Sequence, residues 1–105
     1  GRRDDLIITG GVNVYPLEVE QALHELDGVE DVAVFGVPDE RWGQRVCAAV
    51  VGEAAVVAIH EHARERLAAY KCPKEVVVVD ELPRTATGKV QRLLLADRYR
   101  ATSDS

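Results

Sequence analysis

No apolar run in this chain approaches the length of a membrane span, and no basic, apolar, small-residue series marks a signal peptide. Cysteine is scarce: Cys47 lies in an apolar run and Cys72 in a loop, a separation that fits neither a redox pair nor a zinc site. Reduced thiols and a cytoplasmic setting are therefore expected. Histidine is equally sparse. His60 and His62 are two apart and point in different directions on a helix, and His24 is distant in sequence, so no metal site is expected. There is no basic stripe interleaved with aromatics, and 13 Lys and Arg against 18 Asp and Glu leave a net charge of −5, which argues against nucleic acid. Internal repeats and low-complexity segments are missing too. A Walker A loop is excluded, because Pro83 stands where its first glycine is needed and Val90 follows Lys89.

What is present is 105 residues, 47% hydrophobic and 30% charged, enough for one globular domain with a single core and too few for a two-domain enzyme. Short β-prone runs, Leu6-Ile7-Ile8 and Val12-Asn13-Val14, flank Gly10-Gly11 and predict a hairpin over 6–15. Pro16 opens a helix on which Val19, Ala22, Leu23 and Leu26 share a face, with Gly28 as its terminator. Glu18 and Glu20, in the first turns, suit the helix dipole and read as structural. Strands are expected over 29–37 and 45–51, joined by the loop Asp39-Glu40-Arg41-Trp42-Gly43-Gln44 that carries the single tryptophan. A half-buried ring closing the end of a sheet would account for Trp42 without any ligand. The spacing Ile59, Ala63, Leu67, Tyr70 predicts a helix over 56–70 with no N-cap residue, ended by Cys72-Pro73. Val76-Val77-Val78-Val79 reads as a buried strand within 75–80, and Leu93, Leu94, Leu95 and Tyr99 as part of a helix over 91–100. Residues 101–105 are expected to fray. The fold class is α+β: an N-terminal hairpin, then a small, mostly three-stranded sheet with flanking helices, the core spanning 16–100.

Pro83-Arg84-Thr85-Ala86-Thr87-Gly88-Lys89-Val90-Gln91-Arg92 is the stretch most suggestive of chemistry. Pro83 and the two threonines discourage a helix, and Gly88 can take positive φ, so Lys89 is expected at a turn tip. A lysine so placed can stabilise charge developing on a carboxylate or phosphate oxygen, or can simply be solvated. Charge is unevenly distributed along the chain. Residues 1–70 hold 6 basic and 13 acidic side chains and residues 71–105 hold 7 and 5, so the Lys89 end is the cationic one.

Gly1-Arg2-Arg3-Asp4-Asp5 and the following Gly10-Gly11-Val12-Asn13-Val14-Tyr15-Pro16, with Arg41-Trp42-Gly43-Gln44, Tyr70-Lys71-Cys72-Pro73 and the 83–89 motif, resemble the adenylate-forming enzymes: acyl-CoA synthetases, nonribosomal adenylation domains and luciferases. In that superfamily these motifs open and close the small C-terminal domain. The resemblance covers nearly the whole chain and implies a mobile lid, with residues 1–5 as its hinge region and Asp4 as the hinge. It further implies that Lys89 serves the step in which a carboxylate attacks ATP to give acyl-AMP, and that Arg2 contacts the nucleotide ribose. In the second step CoA displaces AMP. Gly10 and Gly11 would line the passage for the pantetheine arm, Trp42 would contact CoA, and Tyr70 with its neighbours would lie near the CoA nucleotide. Some relatives have an arginine where this chain has Cys72, which cannot replace a guanidinium and leaves Lys71 or Lys74 as substitutes. The implied partners are an N-terminal domain of the same enzyme, a carboxylic acid, ATP with Mg2+ held outside this domain, and CoA. The isolated chain would be inactive, and the acid cannot be read from it. The Gly10–Pro16 and Arg41–Gln44 motifs look more like CoA ligases than nonribosomal domains, and a stand-alone binding module of the same fold is the other alternative.

Overall fold

A computed structural model describes residues 5–103, with side chains described as far as Arg100. The expected hairpin is present: β1 (Ile7–Thr9) and β2 (Val12–Val14) pair antiparallel, with Ile7 opposite Val14 and Thr9 opposite Val12. Gly10 and Gly11 turn the chain at φ +58° and +82°, the pair of positive values that a two-residue turn matched to strand twist requires. Helix α1 (Pro16–His24) follows with Pro16 in its first turn and Val19 and Leu23 fully buried. It stops short of Leu26, which still packs on the core from the turn leading to Gly28.

β3 (Val29–Asp39) and β4 (Gly43–Gly52) form a long antiparallel pair, and β5 (Glu75–Val78) joins β4 in parallel, giving the order β3-β4-β5. Helix α2 (Val56–Arg66) makes the crossover between β4 and β5, as a parallel connection demands. β3 runs on through Gly36 and Pro38, where the sequence suggested an end. It is an edge strand, and Pro38 lies near its terminus, where a missing N–H does not interrupt the sheet.

Alternation along β3 and β4 divides the core in two. Val32, Val34, Val46, Ala48 and Val50 face one way and meet Ile7, Val14, Val19, Leu23, Ile59 and Ala63 from the hairpin, α1 and α2. Ala33, Phe35, Val37, Cys47 and Ala49 face the other way, toward Leu82 and Leu95, and Tyr99 stacks on Phe35 with ring centroids 6.0 Å apart. Because both faces are covered, β4 is buried without a break from Arg45 to Val50.

Three sequence expectations need correction. α2 ends at Arg66 instead of running to Tyr70: Leu67 takes extended angles (φ −128°, ψ 151°) that turn its side chain onto the core, and a separate 3-10 turn covers Ala69–Lys71. That break lets Cys72 and Pro73 deliver the Lys74 N–H to the Val46 carbonyl at 2.8 Å, where β5 starts. β5 is a half-covered edge rather than a buried strand, with Val78 52% exposed. The final helix, α3 (Arg92–Ser103), continues past residue 100, and of its three consecutive leucines only Leu95 is buried, since a helix turns a single one of three neighbours toward the sheet.

Candidate functional site

Lys89 stands at the end of a small hairpin that the sequence folds by itself. Leu82, buried against the second core cluster, anchors its start, and Arg84 bridges to Val90 across its base. The Thr85 N–H donates to the Lys89 carbonyl at 2.8 Å, the Gly88 N–H to the Thr85 carbonyl at 2.9 Å, and the Lys89 N–H to Thr85 Oγ1 at 3.1 Å. Gly88 has φ +88° and nothing packed against it. Arg84 spans out of the hairpin: Nη1 donates to the Gly88 carbonyl at 2.7 Å and Nη2 to Asp31 Oδ2 at 2.7 Å. Lys89 itself is exposed, and its ammonium pairs with no described residue.

A second group of residues collects around Trp42, on the loop between β3 and β4. Asp39 Oδ1 accepts the backbone N–H of Arg41 at 2.8 Å and of Trp42 at 3.0 Å, which fixes the loop. Loss of hydration would raise the Asp39 pKa, but those two N–H groups and the Arg45 guanidinium outweigh it and hold the carboxyl below its ordinary value. The half-buried indole has the Arg41 guanidinium 5.0 Å and the Lys74 ammonium 4.7 Å from its ring centroid. The turn of the N-terminal hairpin closes on the same ring. Gly10 N–H donates to the Trp42 carbonyl at 2.8 Å, a Cβ on Gly10 would meet the indole at 3.3 Å, and Ile8 N–H donates to Gln44 Oε1 at 2.8 Å. Gly11 is exposed with open space around it.

Lys71 and Tyr70 form a third group. The Lys71 ammonium lies 2.7 Å from Glu18 Oε2, which raises its pKa, and 5.6 Å from the Tyr70 ring centroid. Of the two lysines that could stand in for an arginine at position 72, Lys74 is thus beside Trp42 and Lys71 is engaged by Glu18. Neither cysteine is poised to react: burial, then the Glu75 carboxylate, pushes the Cys47 thiol up to about 12, and burial also raises Cys72.

Arg2 and Asp4 lie outside the described residues. Their neighbour Asp5 accepts from Arg92 Nη1 at 3.2 Å, and the rest of that guanidinium grips Glu20 at 2.7 Å and the Val34 carbonyl at 3.1 Å. No local pattern announces this junction, because it joins residues 72 positions apart. Asp31, which holds the Lys89 hairpin, and Asp39, which holds the Trp42 loop, stand at opposite ends of β3, roughly 25 Å apart at the rise of a strand. The structure therefore assembles Gly10, Trp42 and Lys74 in one place and puts Lys89 in another.

The sequence family described as the AMP-binding enzyme C-terminal domain matches residues 18–89. Over 100 residues the chain is 44% identical to the 2-succinylbenzoate–CoA ligase of Listeria monocytogenes, covering 93% of this chain and 21% of that enzyme. It is 48% identical over 96 residues to the indoleacetate–CoA ligase of Aromatoleum aromaticum, covering 88% and 19%. A solved fatty acyl CoA synthetase from Mycobacterium tuberculosis superposes with a TM-score of 0.91 at 43% identity, over 96% of this chain and 21% of that one. The chain thus spans about a fifth of the length of the curated relatives it matches.

Proposed function

Since the chain belongs to the AMP-binding enzyme C-terminal domain family, of the acyl-CoA synthetase type, we propose that it acts as the mobile C-terminal domain of an enzyme that converts a carboxylic acid and ATP to acyl-AMP and passes the acyl group to CoA. The observation that carries this reading is the separation of the two groups along β3. A lysine at one end and an aromatic, basic platform at the other cannot serve one reacting centre together, but a domain that swivels against a larger one can offer each in turn.

In the first orientation Lys89 faces the nucleotide. An anionic carboxylate must approach a polyanion, and an ammonium near the attacking oxygen and the α-phosphate lowers the barrier for that approach. The exposure of Lys89 at a braced turn, with no internal partner among the described residues, supports the role. Arg2 would reach the ribose and Asp4 would be the hinge. In the second orientation Gly10 and Gly11 border the pantetheine passage, while Trp42, flanked by Lys74, offers a π-face and a cation to the nucleotide end of CoA. Tyr70, in its separate group, would also meet the CoA nucleotide, as would Lys71 once released from Glu18.

The N-terminal domain that this reading requires would supply the acid pocket, and Mg2+ with the ATP phosphates. Relatives of near-equal similarity are named for 2-succinylbenzoate and indoleacetate, which supports a selection of acid made elsewhere than in this domain. Among the described residues no helix is long and apolar enough to cross a membrane, and two unpaired cysteines favour action in the cytoplasm. The test is Lys89→Ala in the full-length enzyme. Acyl-AMP formation, followed by pyrophosphate exchange, is expected to fall at least about a hundredfold, the scale of removing one transition-state charge contact, while thioester formation from supplied acyl-AMP largely survives. Equal loss of both steps would reject the assignment.

A further inference from the structure

Gly88 presents a difficulty for any role of Lys89 that depends on position. Its φ of +88° is open to reorientation, nothing packs on it, and its carbonyl belongs to the peptide unit that carries the Lys89 nitrogen. The N–H of that peptide is held within the hairpin by Thr85 Oγ1 at 3.1 Å, but a plane left free on its carbonyl side could still swing and carry the lysine with it. The carbonyl is held from outside, by Arg84 Nη1 at 2.7 Å, and the same guanidinium is seated through Nη2 on Asp31 at 2.7 Å. We propose that Arg84, seated on Asp31, is a positioning residue that sets the direction of Lys89 for acyl-AMP formation.

Asp31 is prepared for this task by its strand. The register of β3 against β4 shifts between Val29 and Asp31, so that Glu30 is an extra residue, and such a bulge re-aims the side chain that follows it. Asp31 Oδ1 accepts the Val32 N–H at 3.0 Å, which leaves Oδ2 pointed at Arg84 with little freedom. The planar fork of a guanidinium meets a carbonyl and a carboxylate at once, whereas a lysine ammonium on its flexible stem would satisfy one of them. Stability alone is a poor reason for the pair. Both side chains are 40% exposed, and exposed ion pairs contribute about 0–1 kcal/mol. The pair also ties the lysine hairpin to the rigid sheet, so Lys89 moves with the domain rather than within it.

The inference rests on Lys89 acting in the first step, and the experiment separates the two ideas. In the full-length enzyme, Arg84→Ala and Asp31→Ala are each expected to slow acyl-AMP formation about tenfold, inside the hundredfold that a misplacement of about 1 Å can cost. Thioester formation from supplied acyl-AMP and the thermal midpoint should stay near wild type, and Arg84→Lys should keep part of the lost rate. In a Lys89→Ala background, adding Arg84→Ala should remove nothing further, since a residue that works through the lysine has no effect without it. The same fold loss with and without Lys89 would show Arg84 acting directly and overturn the proposal, as would loss shared equally by both steps. A full loss in Lys89→Ala beside an unaffected Arg84→Ala would end the positioning role alone, whereas intact adenylation in Lys89→Ala would end the reading beneath it.

Discussion

Asp39 organises the Trp42 loop through one carboxylate, and its chemistry gives the loop a defined response to acid. A carboxyl whose folded-state pKa is depressed contributes stability that is fully present above its unfolded value and is lost as pH falls through the folded value. Trp42 emission should therefore stay constant from neutral pH down to about pH 4 and shift below it, because the ordinary aspartate value is close to 3.9. In Asp39→Ala the emission should already be shifted at pH 7 and show no further step of this kind. Identical acid profiles for the two proteins would exclude Asp39 as the source. Residues of this sort were partly legible in the sequence: the Gly10-Gly11 turn, Pro16 at the helix start and the exposure of Lys89 all follow from local backbone chemistry. Arg84 was visible as part of a motif, yet its purpose was not. Its seat, Asp31, is 53 positions away and is aimed by a bulge that no local pattern announces.

At the scale of elements, periodicity located the hairpin, the three helices and the three-stranded sheet, and failed where tertiary contacts set the ends. Leu67 and Tyr70 continue the apolar spacing of α2, but the need to bring residue 74 alongside β4 breaks the helix at Leu67 and leaves Tyr70 in a separate turn, 43% exposed. Four consecutive valines looked like a buried strand, and a run of that kind cannot itself show that its outer neighbour is missing. Glu20 is the clearest case. Its place near the start of α1 suggested a partner for the helix dipole, whereas it receives the Val34 N–H at 2.8 Å, Arg92 Nη2 at 2.7 and 2.8 Å on its two oxygens and Arg92 Nε at 3.1 Å, tying α1, β3 and α3 together. Glu20→Ala would leave the Val34 N–H unpaired and the Arg92 guanidinium with only Asp5 and the Val34 carbonyl, and should cost about 1–3 kcal/mol in denaturant unfolding. Glu20→Gln, which keeps an acceptor for Val34, should lose less. A loss below about 1 kcal/mol in the alanine variant would place the junction among ordinary surface pairs.

For the whole molecule, the cationic end foreseen in the sequence resolves into two separate features. The Lys89 hairpin is tied through Arg84 to Asp31 at one end of β3 and Lys74 lies on Trp42 near the other, so the charge is divided between two places instead of forming one anion site. Because Trp42 is the only tryptophan, its emission reports on the second of these places without interference. Titration of CoA into the 105-residue chain should quench that emission to a plateau, and Lys74→Ala should move the midpoint to higher concentration. Emission unchanged by millimolar CoA would remove Trp42 from the proposed contact.

The sheet that carries both groups is packed on both faces, and under the proposed function this has a consequence for how variants will sort. A change inside the shared core, at Phe35 or Val50 for example, softens a single block and should depress both half-reactions in the same proportion. On the proposed division of labour, a change in either loop should disturb one half-reaction and spare the other. The ratio of the two rates then becomes a compass needle: it stays level for damage to the body and swings one way or the other according to which end of β3 was touched.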